Sequence, residues 1–318
     1  MSERKIFINK SELGAGTTGA GLAFTSLNYF AKQYPNSNFN QLEKIVIPDF
    51  NNSLEFDTDF KSAKRIDYIA EVCEKTVDII SPFHKITDNF SLIISGDHSS
   101  ALSSIASLKA AQPNAKLGVI WVDAHYDLHT PYTTPSGNVH GMPLSASMSL
   151  DNLDCKKNEI DDNTKKYWEK LKKIGVDIPK LLPENLVYIG VRDFEVEEEF
   201  IVNKFNIKNF TVSNVRSLGT NNVAEYILNY LSECDYLYIS LDVDSMDPDE
   251  VSYGTGTPVK NGLHISEVKE ILDVILKSEK VISTEVVEIN PLLDDDNFTM
   301  VKTAFDLINH ILSKKCLL

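Results

Sequence analysis

Cysteine is too sparse in this sequence to build with. Cys73, Cys155, Cys234 and Cys316 lie far apart and no CxxC pair occurs. That argues against a disulfide frame or a thiolate metal knuckle and points to reduced thiols in a cytoplasmic protein. No apolar run approaches the roughly 20 residues of a membrane span. The segment Met1–Lys10 carries early charges and no apolar stretch of the kind a signal peptide needs. Cations are in deficit, with 31 Lys and Arg against 46 Asp and Glu and a formal charge of −15. General nucleic-acid binding needs a basic footprint and is disfavoured. A cationic small substrate suits such a field, although an ordinary acidic surface explains the same number. Internal repeats, low-complexity tracts and Pro/Gly-rich linkers are missing as well. One domain over residues 1–318 is therefore expected, and 42% hydrophobic residues can fill its core.

Short β-branched or apolar runs alternate with longer helical patterns. Strands are expected near Lys5–Ile8, Lys44–Ile47, Ser91–Ile94, Leu117–Val122, Leu186–Ile189, Phe210–Val212, Tyr236–Leu241 and Ile282–Ile289. Several, such as Leu117–Val122, are apolar on both alternations, the mark of strands covered on both faces. Helical patterns fall around Ala20–Gln33, Lys61–Ile80, Ser99–Ala111, Thr164–Lys173, Glu197–Lys204, Ala224–Ser232, Ser266–Leu276 and Phe298–Leu312. The alternation predicts an α/β fold, a three-layer αβα sandwich around a mostly parallel sheet of about eight strands. The segment 151–184 is rich in Lys, Asp and Asn and reads as a surface excursion with one short helix.

Ligands of open parallel sheets collect at the carboxyl ends of the strands. Three polar clusters fall there, each directly after an apolar run: Ser95-Gly96-Asp97-His98-Ser99, Asp123-Ala124-His125-Tyr126-Asp127 and Asp242-Val243-Asp244. Residues two apart in an extended chain share a face, so Asp123, His125 and Asp127 can converge, as can Asp242 and Asp244. Singly, each cluster has a plain explanation: a hydrogen-bonded histidine, a helix cap, a turn. Together, four carboxylates at one sheet edge would repel one another, and no run of Lys or Arg accompanies them. Two divalent cations would balance the charge, with two imidazoles completing the shell. Carboxylate-rich ligands favour Mn²⁺ over the His- and Cys-rich shells of zinc, while Co²⁺, Ni²⁺ or Fe²⁺ also suit them. A pair of such ions lowers the pKa of a shared water toward neutrality, which matters for a poor electrophile such as a guanidinium carbon. Three further stretches resemble substrate machinery: the polar loop Thr133–Gly141 ending at His140, the turn Thr255–Pro258, and Glu285–Pro291, where Glu288 ends an apolar strand. A carboxylate there is costly unless it meets a cation, an internal Arg or a helix terminus.

Taken together, SGDHS (Ser95–Ser99), DAHYD (Asp123–Asp127), SGNVHGMP (Ser136–Pro143), SLDVDSMDP (Ser240–Pro248), GTGTP (Gly254–Pro258) and EVVEINP (Glu285–Pro291) resemble the arginase/agmatinase (ureohydrolase) family, its bacterial arginases most of all. The motifs occur in family order over about two thirds of the chain. The resemblance implies an arginase-like fold and hydrolysis of L-arginine to L-ornithine and urea at two Mn²⁺ ions. One ion would be held by His98, Asp123, Asp127 and Asp242, the other by His125, Asp123, Asp242 and Asp244. It also implies a proton-shuttling role for His140, guanidinium orientation by Glu288, and recognition of the α-carboxylate by Ser136 and Asn138. Asp127 would accept a hydrogen bond or proton from the attacking water, and Thr257 would line the substrate site.

Two positions depart from the family pattern. His129 stands where most arginases carry Asn and would face the α-carboxylate with Ser136 and Asn138; Glu195 stands where an Asp usually reads the α-amino group, with Glu198 as a second acid of that loop. Agmatinases and formiminoglutamases share the metal ligands but usually do without the SGN loop, so Ser136-Gly137-Asn138 favours arginine over agmatine, guanidinobutyrate or formiminoglutamate. A metal-binding scaffold without activity is disfavoured because all six ligand positions are filled. His84, His264 and His310 read as structural or surface residues and Trp168 as packing. Family members are often trimers or hexamers, which leaves room for a homo-oligomer that no stretch of the sequence specifies.

Overall fold

The computed structural model describes residues 2–316, with side chains through Lys315, so the Cys316 thiol lies outside the description. Among the described residues, eight strands form one sheet: β1 (Arg4–Asn9), β2 (Glu43–Ile47), β3 (Phe90–Ser95), β4 (Leu117–Val122), β5 (Leu186–Ile189), β6 (Lys208–Phe210), β7 (Tyr236–Asp242) and β8 (Val281–Val287). Their order is β2-β1-β3-β8-β7-β4-β5-β6, and every pairing is parallel. The expected "mostly parallel" sheet is thus parallel throughout.

The apolar runs explain this arrangement. β3, β4 and β8 are buried along their whole lengths, as strands covered on both faces must be. One face packs Ile120, Val122, Ile239 and Leu241 against the helices Ala23–Ala31, Thr220–Tyr230, Ile265–Ile275 and Thr299–Cys316. The other packs Val119, Trp121, Tyr188 and Tyr238 against the helix Ala101–Ala111. Behind that helix lie Ile66–Ile80 and Asp162–Lys173. The helix Ile66–Ile80 buries Ile66, Ile69, Ala70, Cys73 and Thr76 at helical spacing, which is what seats it.

Some of the expected outlines change, and three of the changes have a clear local cause. β6 ends at Phe210 because Thr211 caps a helix, Val212–Leu218, its hydroxyl accepting from the Asn214 N–H. The pattern read as helical from Lys61 becomes helix only at Ile66, since Arg65 has φ 55°. The segment 151–184 is not wholly superficial, for Trp168 and Leu171 are fully buried in the core beside Ile66 and Ile69. Trp168 Nε1 donates to Asp151 at 2.8 Å, so its one polar atom is satisfied. The histidines outside the motifs have structural partners: Ser91 for His84, Glu250 for His264 and Asp273 for His310. Cys73, Cys155 and Cys234 are free thiols.

Candidate active site

Neighbouring strands β3, β8, β7 and β4 end side by side, and their carboxyl ends carry His98, Glu288, Asp242 and Asp123 in turn. The sheet therefore brings together residues far apart in sequence. His98 Nδ1 lies 3.0 Å from Asp123 Oδ2, 3.1 Å from Asp127 Oδ2 and 3.1 Å from Asp242 Oδ2. His125 Nδ1 lies 3.1 Å from Asp244 Oδ2 and 3.4 Å from Asp123 Oδ1. Two groups suited to a cation result, His98–Asp123–Asp127 and Asp123–His125–Asp244, and Asp123 belongs to both. The two carboxylate oxygens of Asp123 thus face different imidazoles.

The donors fit a pair of ions. His98 Nδ1 and Asp123 Oδ2 are buried without a hydrogen-bond partner, a costly arrangement unless something else is bound there. Ligand atoms about 2.1 Å from one ion, at right angles, stand about 3 Å from each other, which is the spacing around His98. Nitrogen and carboxylate oxygen without thiolate suit a hard or borderline divalent cation. In the protein without cations, burial opposes an imidazolium at His98, but the carboxylates of Asp123, Asp127 and Asp242 more than offset it and hold its pKa well above the ordinary value. His125 is raised in the same way, against burial, chiefly by the charge of Asp244. Burial, with Asp244 and Asp123 alongside, raises Asp242 well above the carboxylate range.

A second set of contacts holds these side chains in place. His98 Nε2 lies 2.7 Å from Ser240 Oγ and the ring stacks on Trp121 at 4.1 Å, leaving Nδ1 to face the carboxylates. Thr257 Oγ1 donates to Asp244 Oδ2 at 2.9 Å. Arg192 spans the loops behind, donating to the carbonyls of Gly190, Asp244, Ser245, Met246, Val259 and Lys260. Neither Ser240 nor Arg192 was expected from sequence to serve the site. Ser240 had a signal, standing two residues before Asp242 on the same strand face. Arg192 had none, because its partners are main-chain carbonyls.

Above these groups opens a cleft of about 280 Å³ whose lining includes His98, His125, Asp127, His129, Ser136, Asn138, His140, Glu195, Glu198, Asp242 and Thr257. Thr134, Asp193 and Phe194 also line it and were not singled out in the sequence. A larger hollow of about 790 Å³ lies elsewhere, between Phe30, Tyr34 and Phe305, and holds none of the motif residues.

Glu288 is not part of that lining. It is buried, and its Oε1 accepts from the His98 N–H at 2.9 Å and sits 3.2 Å from His140 Nδ1. The partners are a helix-initiating N–H and an imidazole. Burial lowers the pKa of His140, but its bond to Glu288 and the Glu288 charge outweigh that and raise it to about 9. Asp127 and Glu288 both have positive φ, 51° and 64°, a conformation that costs a non-glycine residue about 1–2 kcal/mol and gathers at functional sites.

At the far end of the cleft, His129 Nε2 lies 3.0 Å from Glu195 Oε2 and 3.6 Å from Glu198 Oε2. The bond to His129 holds Glu195 down to about 2, whereas burial pushes Glu198 up to about 8. Glu198 is also bound by the Leu128 and Glu195 N–H groups. Ser136 and Asn138 line the same cleft, and Ser136 Oγ accepts from the Asn138 N–H at 3.1 Å.

Known proteins share this sequence pattern and fold. Residues 14–313 match the model of the Arginase family. The chain is 38% identical to the arginase of Bacillus subtilis (strain 168) over 228 residues, 72% of this chain and 70% of that protein. Its structure superposes on the native arginase of Bacillus caldovelox with a TM-score of 0.83 at 29% identity, covering 98% of both chains. It matches the arginase of Entamoeba histolytica in complex with L-ornithine with a TM-score of 0.83 at 26% identity, covering 98% of this chain and 99% of that one. A family-model match over residues 14–313 and a fold match over 98% of the chain, on top of paired carboxylate–imidazole clusters at the centre of the sheet edge, make this chain a member of the Arginase family.

Proposed function

We propose that the protein is a cytoplasmic hydrolase that cleaves the guanidinium group of L-arginine to L-ornithine and urea at a site holding two divalent cations, Mn²⁺ first among the candidates. The observation that carries this reading is the unpartnered pair His98 Nδ1 and Asp123 Oδ2, which lies beneath a cleft lined also by Ser136 and Asn138. His98, Asp123, Asp127 and Asp242 would hold one ion, and His125, Asp123, Asp242 and Asp244 the other. When bound, such a pair lowers the pKa of a water toward neutrality and offsets the clustered carboxylate charge.

The side chains supply the rest. Asp127, whose Oδ2 faces His98 and whose carboxylate borders the cleft, accepts the proton of the attacking water. His140 is protonated at neutral pH, since its pKa is raised to about 9. With Nδ1 engaged by Glu288, its Nε2 proton is the one available to the departing amine. Glu288 orients His140 through Oε1, and its second oxygen is left for the guanidinium. Ser136 and Asn138 offer donors to the α-carboxylate. Glu195, held ionised by His129, carries the charge that meets the α-ammonium, while Glu198, whose pKa burial raises to about 8, offers a neutral carboxyl beside it.

The test is urea release from L-arginine and, in parallel, from agmatine, by metal-stripped protein incubated with Mn²⁺. Manganese-dependent turnover of arginine, with agmatine slower by at least about tenfold for want of a carboxylate contact, is the expected result. Preference for agmatine would remove the role given to Ser136 and Asn138. No urea from either substrate, with metal shown to bind, would overturn the activity itself.

A further inference from the structure

Asn138 presents an amide to the cleft, and an amide has two unlike ends. A substrate carboxylate only accepts hydrogen bonds, so it can be read by Nδ2 and is repelled by Oδ1. Which end faces the cleft is therefore a specificity question that Asn138 alone does not settle.

Lys64 settles it. Its Nζ donates to Asn138 Oδ1 at 3.0 Å, and an ammonium can only donate. The oxygen of the amide is thereby committed to Lys64, and Nδ2 is turned the other way, past Gly16, where a Cβ would come within 2.7 Å of it. The contact is built in by the backbone. The Lys64 N–H donates to the Gly137 carbonyl at 2.8 Å. Gly137, at φ 75°, packs so closely on the Lys61 carbonyl that any side chain there would collide with it. Segment 61–65, read from sequence as the start of a helix, instead clamps the Ser136–Asn138 loop. The same cleft is lined by the carboxylates of Asp193 and Glu195, a field hostile to an anion. Lys64 places a positive charge behind the one amide that must receive an anion.

We propose that Lys64 is a positioning residue for substrate selection, orienting the Asn138 amide and supplying the cationic charge that makes the cleft accept an α-carboxylate. The inference rests on the arginase reading and extends it to a residue outside the cleft lining.

The experiment compares wild type, Lys64→Met and Lys64→Arg, each loaded with Mn²⁺, for kcat and KM on L-arginine and agmatine. Calorimetric binding of L-ornithine, which keeps the α-carboxylate, and of 1,4-diaminobutane, which does not, gives a readout free of turnover. Charge-assisted hydrogen bonds of this kind are worth about a tenfold change or more. Lys64→Met is expected to raise the arginine KM and the ornithine Kd about tenfold, with kcat within about twofold. Agmatine kinetics and 1,4-diaminobutane binding should be unchanged, and Lys64→Arg should restore most of the loss. An unchanged ornithine Kd in Lys64→Met, or an equal loss for ligands with and without the carboxylate, would overturn the role of Lys64 while leaving the arginase reading intact. A wild type that prefers agmatine would instead overturn the reading it rests on.

Discussion

Asp123 is the residue on which both proposed cation sites depend, and its substitution gives a graded thermal signature. Its Oδ2 faces His98 at 3.0 Å and its Oδ1 faces His125 at 3.4 Å, so Asp123→Asn weakens both sites, whereas His125→Ala touches only one. A ligand present at a hundred times its Kd stabilises the folded state by about 2.7 kcal/mol per site. At about 2.1 cal/mol/K per residue, the 318 residues carry an unfolding entropy of about 0.67 kcal/mol/K. Two filled sites, about 5.4 kcal/mol together, then raise the Tm by about 8 °C, and one site by about 4 °C. Scanning calorimetry of chelator-stripped protein with and without Mn²⁺ should show the full shift in wild type, about half in His125→Ala and almost none in Asp123→Asn. Asparagine keeps the shape of the side chain and the acceptor for the His125 N–H but loses the charge facing His98, so each shift is read against that variant's own metal-free Tm. A full shift in Asp123→Asn would refute the shared-ligand geometry, and so would an equal loss in both variants.

Three further outcomes follow from particular contacts. Arg192→Met leaves six carbonyls without their donor and frees the loops bearing Asp244 and Thr257. A loss of about 3 kcal/mol in urea denaturation, with a fall in kcat/KM that added Mn²⁺ partly restores, is expected. Burial lowers the pKa of His84 to about 3, below its unfolded value of about 6.5. As the pH falls from 6.5 toward 3, the unfolded chain takes up a proton there that the folded chain refuses, so stability drops. His84→Gln, which keeps a partner for Ser91, should flatten that part of the stability–pH curve, and an unaltered curve would contradict the assignment. Trp168→Ala empties a fully buried indole site and strands the Asp151 contact. It should cost about 3–5 kcal/mol in denaturant unfolding, far more than a residue on a surface excursion would.

Much of this molecule is legible in one dimension. Runs apolar on both alternations, as in Leu117–Val122, demand cover on two faces and so announce a parallel sheet between helix layers. Closeness in sequence puts Asp123, His125 and Asp127 near one another, and Asp242 near Asp244, but not by the period of an extended chain: β4 ends at Val122, Asp127 has φ 51° and Val243–Ser245 forms a 3-10 turn. These are local facts, set by backbone geometry over a few residues. Boundaries were less legible where a side chain overrides the pattern, as Thr211 does in ending β6 and starting a helix.

What the sequence determined by itself was therefore the kind of fold, the family motifs and the residues that make up each cluster. The tertiary structure decided which clusters meet. His98 and Asp242 face one another only because β3, β8 and β7 are neighbours in the sheet, and strand order is set by the packing of whole crossover units that no short window records. The same holds for Lys64 against Asn138, Arg192 against six carbonyls, and Glu288 against His98 and His140. Each joins segments distant in sequence through a polar contact, and polar contacts leave no periodic trace in the chain. Hydrophobic patterning repeats along a strand or helix and can be read from it, whereas a single hydrogen bond across the fold exists only once the backbone has brought its two ends together.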